Sequence, residues 1–114
     1  SAELARNQLD KQLLEDSTRI IEDNLDNKDF SIEMWCREIA IGRTRLGMKI
    51  KGITGLTLNE FVLQIKLRKA AELLCNKELT IAEVAWKSGF SSSGWVNALK
   101  NTLVLHPDNI EINK

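Results

Sequence analysis

The sequence is poor in the residues that form catalytic and metal sites. Its 114 residues include one histidine and two cysteines. His106, which stands beside Pro107, cannot by itself supply a His-based triad or a histidine metal site. Cys36 and Cys75 show no CxxC spacing and are typical of structural thiols in a reducing cytoplasm. We therefore expect no catalytic residues and no metal site.

Long hydrophobic runs and phosphate-binding loops are also missing. Charged residues interrupt every apolar stretch, so we expect neither a membrane span nor a secretory signal. The six glycines stand singly and form no Walker-type loop or dinucleotide-binding motif. The hydrophobic content of 43% nevertheless suits a folded domain. These features predict a cytoplasmic globular domain that is not an enzyme and has no cofactor.

The charges are divided unevenly, although the net charge is zero. Residues 1–33 hold nine acidic and four basic residues, whereas residues 34–69 hold eight basic and two acidic residues. Because local potential steers the binding of a polyanion, the basic stretch is compatible with nucleic acid. A solvated helix face explains the charges alone equally well.

Apolar residues recur at helical spacing along the chain. Ser31 is suited to the N-cap of a short helix, and a break at residues 40–42 separates this helix from a second one. The second helix has Leu46 and Ile50 on its packed face and basic residues elsewhere, which is the plan of a helix-turn-helix. Helices are predicted at residues 9–26, 32–39, 43–54 and 57–76, and another begins after Thr80.

The helix-turn-helix plan returns in the second half of the chain. Thr80 and Glu83 have the spacing of a capping box, and a constant offset of 49 residues matches apolar positions in the two halves. The matched pairs include Ile32 with Ile81, Trp35 with Val84, Ala40 with Gly89, Ile41 with Phe90 and Leu46 with Trp95, whereas Ser88 faces Ile39. The tryptophans are expected to pack in the core or between lobes: Trp35, Trp86 and Trp95.

These elements predict an all-α fold of two homeodomain-like helix-turn-helix lobes joined by a long central linker helix. Leu63 and Leu67 on one side of that helix, and Phe61 and Ile65 on the other, are expected to clamp the lobes. The predicted divisions are a linker from an upstream domain or an expression vector at 1–9, the first lobe at 10–56, the bridging helix at 57–76, the second lobe at 77–107 and a flexible tail at 108–114.

Three segments carry a resemblance to a known family. TGLTLNEF, IKLRKAAELL and TIAEVAWKSGF resemble, in residue type and spacing, the C-terminal DNA-binding domain of the arabinose-regulator (AraC/XylS) family of bacterial transcription activators. The resemblance covers about residues 10–107. It implies a sequence-specific transcription regulator domain that binds double-stranded DNA. Its two recognition helices would enter successive major grooves about 34 Å apart.

The acidic leading helix and the stretch REIAIGRTRL look most like output domains at the end of hybrid two-component sensors. This narrower resemblance implies sensor, kinase and receiver domains upstream in the same chain. It also implies a full-length protein anchored in the inner membrane. A homodimer of the full-length chain and RNA polymerase are further candidate partners.

The first recognition helix departs from the family at its base-reading positions. Gly42, Gly47 and Met48 stand where the family usually has a Ser cap and longer polar side chains. Met48 can offer only apolar contact, for example to a thymine methyl group. Base reading is therefore expected from Thr44 and Arg45, with Met48 in apolar contact. Phosphate contacts are expected from Arg43, Lys49 and Lys51.

The second unit departs further, because it is one residue shorter than the family pattern between Gly89 and Pro107. A deletion inside the recognition helix would rotate its face by about 100°, whereas one in the turn would leave the helix intact, and the internal repeat favours the turn. The alternative is that the second half is only a packing lobe. Asn97 takes the place of Met48 in the repeat, and asparagine can pair with adenine through two hydrogen bonds. Base reading is expected from Ser93 and Asn97, and phosphate contacts from Ser92 and Lys100.

Two function classes follow from these residues. One is a sequence-specific DNA-binding domain of a transcription regulator. The other is a helical interaction or dimerisation module that has lost DNA binding, which Gly47, Met48 and the altered second helix favour. Only the first should lose affinity steeply as salt rises.

Overall fold

The computed structural model describes residues 1–90. This part of the chain folds into five α-helices and has no strand, which confirms the all-α class. None of these five helices is long and apolar enough to cross a bilayer. The helices are α1 (Ala2–Asp23), α2 (Ile32–Ile39), α3 (Arg43–Thr54), α4 (Leu58–Leu74) and α5 (Ile81–Lys87).

The chain divides into two compact units, Ser1–Ile65 and Lys66–Lys114. In the second unit, the described residues are 66–90. Residues 2–9, predicted as a linker, form the first turns of α1. The predicted domain boundaries remain predictions.

The turn between α2 and α3 is held by backbone hydrogen bonds. Ser31 caps α2, as predicted, and at the other end Ala40 adopts a left-handed conformation with φ of +62°. The N–H of Ala40 donates to the carbonyl of Arg37 at 3.2 Å, and the N–H of Ile41 donates to that of Cys36 at 3.1 Å. The chain therefore leaves α2 at Ala40. The left-handed conformation is unfavourable for a residue with a Cβ atom.

The turn after α5 has the same hydrogen bonds at positions shifted by 49 residues. Gly89 takes the place of Ala40, with φ of +87°. Its N–H donates to the carbonyl of Trp86 at 3.2 Å, and the N–H of Phe90 donates to that of Ala85 at 2.9 Å. The internal repeat thus holds for the turn as well as for the apolar pattern.

Two helices begin with reciprocal capping boxes. The predicted one opens α5: the Glu83 N–H donates to the Thr80 hydroxyl, and the Thr80 N–H donates to the Glu83 carboxylate, both at 3.1 Å. Thr57 and Glu60 make the same pair of bonds at the start of α4, at 3.2 and 2.9 Å. The second box was not predicted, although its residues have the same spacing.

Trp35 lies at the centre of the first unit and is fully buried. Its ring stacks on Phe61 with centroids 5.5 Å apart, and its indole N–H donates to the hydroxyl of the buried Ser17 at 3.1 Å. This core joins α1 and α2 to α3 and the first half of α4. Its buried residues are Leu13, Ile20, Ile21, Leu25, Trp35, Leu46, Ile50, Leu58, Phe61 and Ile65.

The second unit has a smaller described core of Leu67, Ala70 and Val84. The ammonium group of Lys66 lies 5.9 Å from the centre of the Phe90 ring, within the range of a cation–π interaction. Ser88 is fully buried, and its hydroxyl has no hydrogen-bond partner among the described residues.

The predicted clamp on α4 is wrong at Leu63. Phe61 and Ile65 lie in the core of the first unit and Leu67 in that of the second, but Leu63 is 41% exposed. Leu63 precedes Ile65 by two residues and therefore points about 200° away from it around the helix. The first unit packs against the Phe61 side of α4, which leaves Leu63 towards solvent.

The expected packing of the tryptophans holds only in part, and the two cysteines differ in exposure. Trp35 is buried as expected, whereas Trp86 is 52% exposed. Trp95 lies outside the described residues. Cys36 packs against the core of the first unit, but Cys75 is exposed and is not a core thiol.

Candidate nucleic-acid interface

Helix α3 has one fully buried side and one exposed side. Leu46 and Ile50 are completely buried and attach the helix to the core of the first unit. Thr44, Arg45 and Met48 are exposed on the other side, and Met48 is 72% exposed. The structure therefore brings together on one surface the three residues predicted to read bases in the first unit.

The two glycines inside α3 lie in different environments. A Cβ atom at Gly47 would meet the side chain of Leu58 at 3.9 Å, so Gly47 faces the start of α4. A Cβ atom would make an ordinary van der Waals contact there, and a side chain at this position would not point outwards as Met48 does. Gly52 is exposed with nothing within 4 Å of its Cβ position, and it follows Met48 by one turn. Gly52 was not predicted as part of the site, although its helical spacing from Met48 places it there.

Arg43, predicted to bind phosphate, already has a partner. Its guanidinium pairs with the carboxylate of Glu33 on α2, and both side chains are more than half exposed. The backbone N–H of Glu33, then Arg43 and the Ser31 hydroxyl, lower the pKa of the Glu33 carboxyl below its ordinary value of 4.5. Glu33 therefore stays ionised near neutral pH and pairs with Arg43 at the start of α3.

Lys51 is also engaged locally. Its ammonium group donates to the carbonyl of Gly55, the C-cap of α3, at 3.0 Å. Lysine near a helix C-terminus satisfies its last carbonyl groups in this way. Lys51 also contributes, after the backbone N–H and hydroxyl of Thr57, to lowering the pKa of Glu60. Its contact with a phosphate would require this cap to open or to be shared.

Arg45 and Lys49 make no ion pair with any residue in the described part of the chain. Arg45 is exposed and Lys49 is partly exposed. Arg45 and Lys49 can therefore reach an anionic ligand without breaking the ion pair of Arg43 with Glu33 or the hydrogen bond of Lys51 to Gly55. The candidate residues of the second recognition helix lie outside the described residues: Ser92, Ser93, Asn97 and Lys100.

Comparison with known proteins identifies the family. A family model described as a helix-turn-helix domain matches residues 35–101, more than half of the chain. Among solved structures, the C-terminal domain of AraT, a response regulator from Geobacillus stearothermophilus, is similar with a TM-score of 0.69. It has 22% sequence identity, with 90% of this chain and 85% of that chain covered. This likeness supports the fold.

Two named relatives share part of their sequence with this chain. "Histidine kinase P4" from Formosa agariphila is 36% identical over 91 residues, which is 80% of this chain and 7% of the relative. The "HTH-type transcriptional activator RhaR" from Enterobacter sp. is 29% identical over 75 residues, which is 66% of this chain and 27% of the relative. The chain thus spans less than a third of either relative. The chain belongs to the AraC-type helix-turn-helix family and is a DNA-binding transcription regulator domain.

Proposed function

We propose that α3 enters the major groove of double-stranded DNA and reads base edges with Thr44, Arg45 and Met48. The observation that carries this proposal is the exposure of all three side chains on the face of α3 opposite the buried Leu46 and Ile50. A recognition helix must present such a face to the groove while its other side stays fixed to the core.

Each of the three side chains has a chemistry that suits a base edge. Arg45 can donate two parallel hydrogen bonds to guanine, which is the commonest specific contact in the major groove. Thr44 offers a hydroxyl and a methyl group, and Met48 offers an apolar surface. Of the three residues proposed to bind phosphate, Lys49 is best placed, because among the described residues it has neither the ion pair of Arg43 nor the hydrogen bond of Lys51. Arg43 and Lys51 would add phosphate contacts only after leaving Glu33 and the Gly55 carbonyl.

The proposal extends to a second recognition helix in the next major groove, where Ser93 and Asn97 read bases and Ser92 and Lys100 bind phosphates. It is supported by the repeat of the helix and turn geometry at an offset of 49 residues, up to Gly89 and Phe90. Two such units on one chain would read two half-sites about one turn of DNA apart.

We also propose that the chain is the output domain of a longer, cytoplasmically exposed two-component protein. Sensor, kinase and receiver domains would precede it, and the whole protein would be anchored in the inner membrane and act as a homodimer that contacts RNA polymerase. One support is a relative named as a histidine kinase, of which this chain matches 7% of the length. The other is a structural neighbour that is the C-terminal domain of a response regulator.

Base reading can be tested with alanine substitutions on a selected site. Duplexes bound by the 114-residue chain are first enriched from a random pool. Arg45→Ala and Asn97→Ala should then each cost about 1 to 3 kcal/mol on the enriched site and relax preference at different base pairs. Because the proposal assigns the two positions to separate recognition helices, their costs should add. Arg6→Ala, which removes the same charge from the exposed start of α1, is the matched control and should have little effect.

Three outcomes separate the alternatives. A loss with Arg45→Ala alone would confine base reading to α3 and make the second helix a scaffold. Equal weakening on every duplex would show that Arg45 contacts phosphate. Absence of any enriched duplex and of salt-dependent binding would favour the helical interaction module over DNA recognition.

A further inference from the structure

The exposed face of α3 has an uncharged centre. Thr44, Met48 and Gly52 follow one another at four-residue intervals, so each is rotated by only about 40° from the one before it. All three are exposed, and Met48 is 72% exposed. Together they form a stripe along the helix: Thr44 bears a hydroxyl group, Met48 is apolar and Gly52 has no side chain. We refer to these three residues as the central stripe.

Cations stand on both sides of the central stripe. Arg45 precedes Met48 by three positions and Lys51 follows it by three, which places them about 60° to either side. Arg45 can reach a purine or a phosphate, and Lys51 donates a hydrogen bond to the Gly55 carbonyl. In a helix that lies in the major groove, the stripe would face the base pairs, Arg45 would reach a neighbouring base edge and Lys51 would face a groove wall.

Met48 can make only one kind of favourable contact with a base edge. Its thioether has no hydrogen-bond donor and is at most a weak acceptor. A polar base edge opposite it would lose water without gaining a hydrogen bond, which is unfavourable. The thymine C5-methyl group is the apolar group on the floor of the major groove. Apolar contact therefore favours thymine opposite Met48, and the loss of hydration disfavours the other bases there.

We propose that the central stripe makes DNA recognition by α3 dependent on thymine methyl groups, with Met48 as the contacting residue and the Thr44 methyl extending its surface. This inference rests on the proposed function, because it requires α3 to enter the major groove. Gly52 contributes by leaving the helix surface open beyond Met48, since nothing lies within 4 Å of its Cβ position. The preferred site contains thymine at the base step that Met48 faces.

Removal of single methyl groups from the DNA tests this inference. After enrichment of a site from a random pool, each thymine is replaced in turn by deoxyuridine, which keeps all hydrogen-bonding groups and lacks only the methyl. We expect Kd to rise roughly fourfold at one or two positions, the factor that corresponds to burial of one methyl group. In Met48→Ala the penalty at these positions should disappear, because the apolar surface is gone.

Two further variants act as controls. Met48→Leu keeps an apolar side chain of similar size and should keep the uracil penalty. Leu63→Ala shortens another exposed apolar residue, 41% exposed on α4, and should leave the penalty unchanged.

The outcomes distinguish the inference from the function on which it rests. Suppose that a site is enriched and that Arg45→Ala weakens binding to it, but that no uracil substitution changes Kd. The proposed contact with thymine methyl groups is then overturned, and the DNA-binding proposal stands. A penalty that persists in Met48→Ala would likewise overturn the role of Met48. If no duplex is enriched, both proposals fail.

Discussion

The carboxylate of Glu33 in the first turn of α2 pairs with the guanidinium of Arg43 at the first position of α3. The pair bridges the two helices of the helix-turn-helix across its turn. Because both side chains are more than half exposed, it contributes little to stability. We expect a larger effect on DNA binding, since the proposed phosphate contact of Arg43 would compete with Glu33.

Glu33→Gln should therefore strengthen binding to all duplexes alike. Loss of the carboxylate frees Arg43 for a phosphate, so the slope of log affinity against log salt should steepen by about one unit. Titrations at several salt concentrations measure this slope. Glu3→Gln, which makes the same charge change at the exposed start of α1, should leave the slope unchanged.

The native ion pair also sets an order among the phosphate-binding residues. Arg43→Ala should reduce the slope less than Lys49→Ala in the native background, and by about one unit in the Glu33→Gln background. Weaker binding by Glu33→Gln would show instead that the carboxylate orients Arg43 towards DNA.

The capping boxes predict a loss of stability in acid. The backbone N–H and then the hydroxyl of Thr57 hold the pKa of Glu60 below 4.5, and those of Thr80 do the same for Glu83. A lowered folded-state pKa stabilises the fold above the unfolded pKa, and this contribution is lost as pH falls through the folded value. The urea midpoint should therefore decrease on acidification below about pH 4.5. Glu60→Gln, which can still cap but does not titrate, should reduce this decrease.

The hydrogen bond between Trp35 and Ser17 predicts a specific cost in the core. Ser17→Ala would leave the buried indole N–H without an acceptor, which should lower the free energy of unfolding by about 1 to 3 kcal/mol. Denaturant melts of the variant measure this loss. Asn7→Ala, at an exposed position of the same helix, should cause no loss. An unchanged midpoint for Ser17→Ala would show that water or another group replaces the hydroxyl.

The two left-handed turn residues should respond to substitution in opposite directions. Ala40→Gly removes a Cβ atom from a residue at φ of +62° and should stabilise the chain by about 0.5 to 1 kcal/mol. Gly89→Ala adds a Cβ atom at φ of +87° and should destabilise it by about 1 kcal/mol or more. Thermal melts of both variants would check the pair, and a shift of the same sign in both would contradict the repeat of the turn geometry.

Residues on α4 should differ according to their burial. Leu67 is 5% exposed, so Leu67→Ala should lower the free energy of unfolding by about 2 to 5 kcal/mol. Leu63→Ala should change the free energy of unfolding by less than about 0.5 kcal/mol, because the side chain is exposed. A cost for Leu67→Ala below that of Leu63→Ala would show that the second core is loosely packed.

Local sequence patterns predicted α2, α3 and the cap of α5 well, whereas α1 begins seven residues before its predicted start at residue 9. Ser31, the residue range of α2 and the box at Thr80 depend on contacts within four residues, which a sequence shows directly. The pairs Glu33 with Arg43 and Ser17 with Trp35 join residues 10 and 18 positions apart, and no local spacing marks them. The direction of Gly47 depends on where α4 packs, so it too required the tertiary structure. The box at Thr57 had a local pattern and was missed.

The helix α4 supplies three residues to the core of the first unit, Leu58, Phe61 and Ile65, and its later residues to that of the second. A shortened chain that ends in the loop before Leu58 would therefore lose the ring that stacks on Trp35 and would not be a minimal helix-turn-helix module. The boundary between the units lies inside a helix, at Ile65 and Lys66. Exchange of first units between family members should accordingly keep α4 intact up to Ile65, so the natural crossover point for chimeric regulators lies in mid-helix.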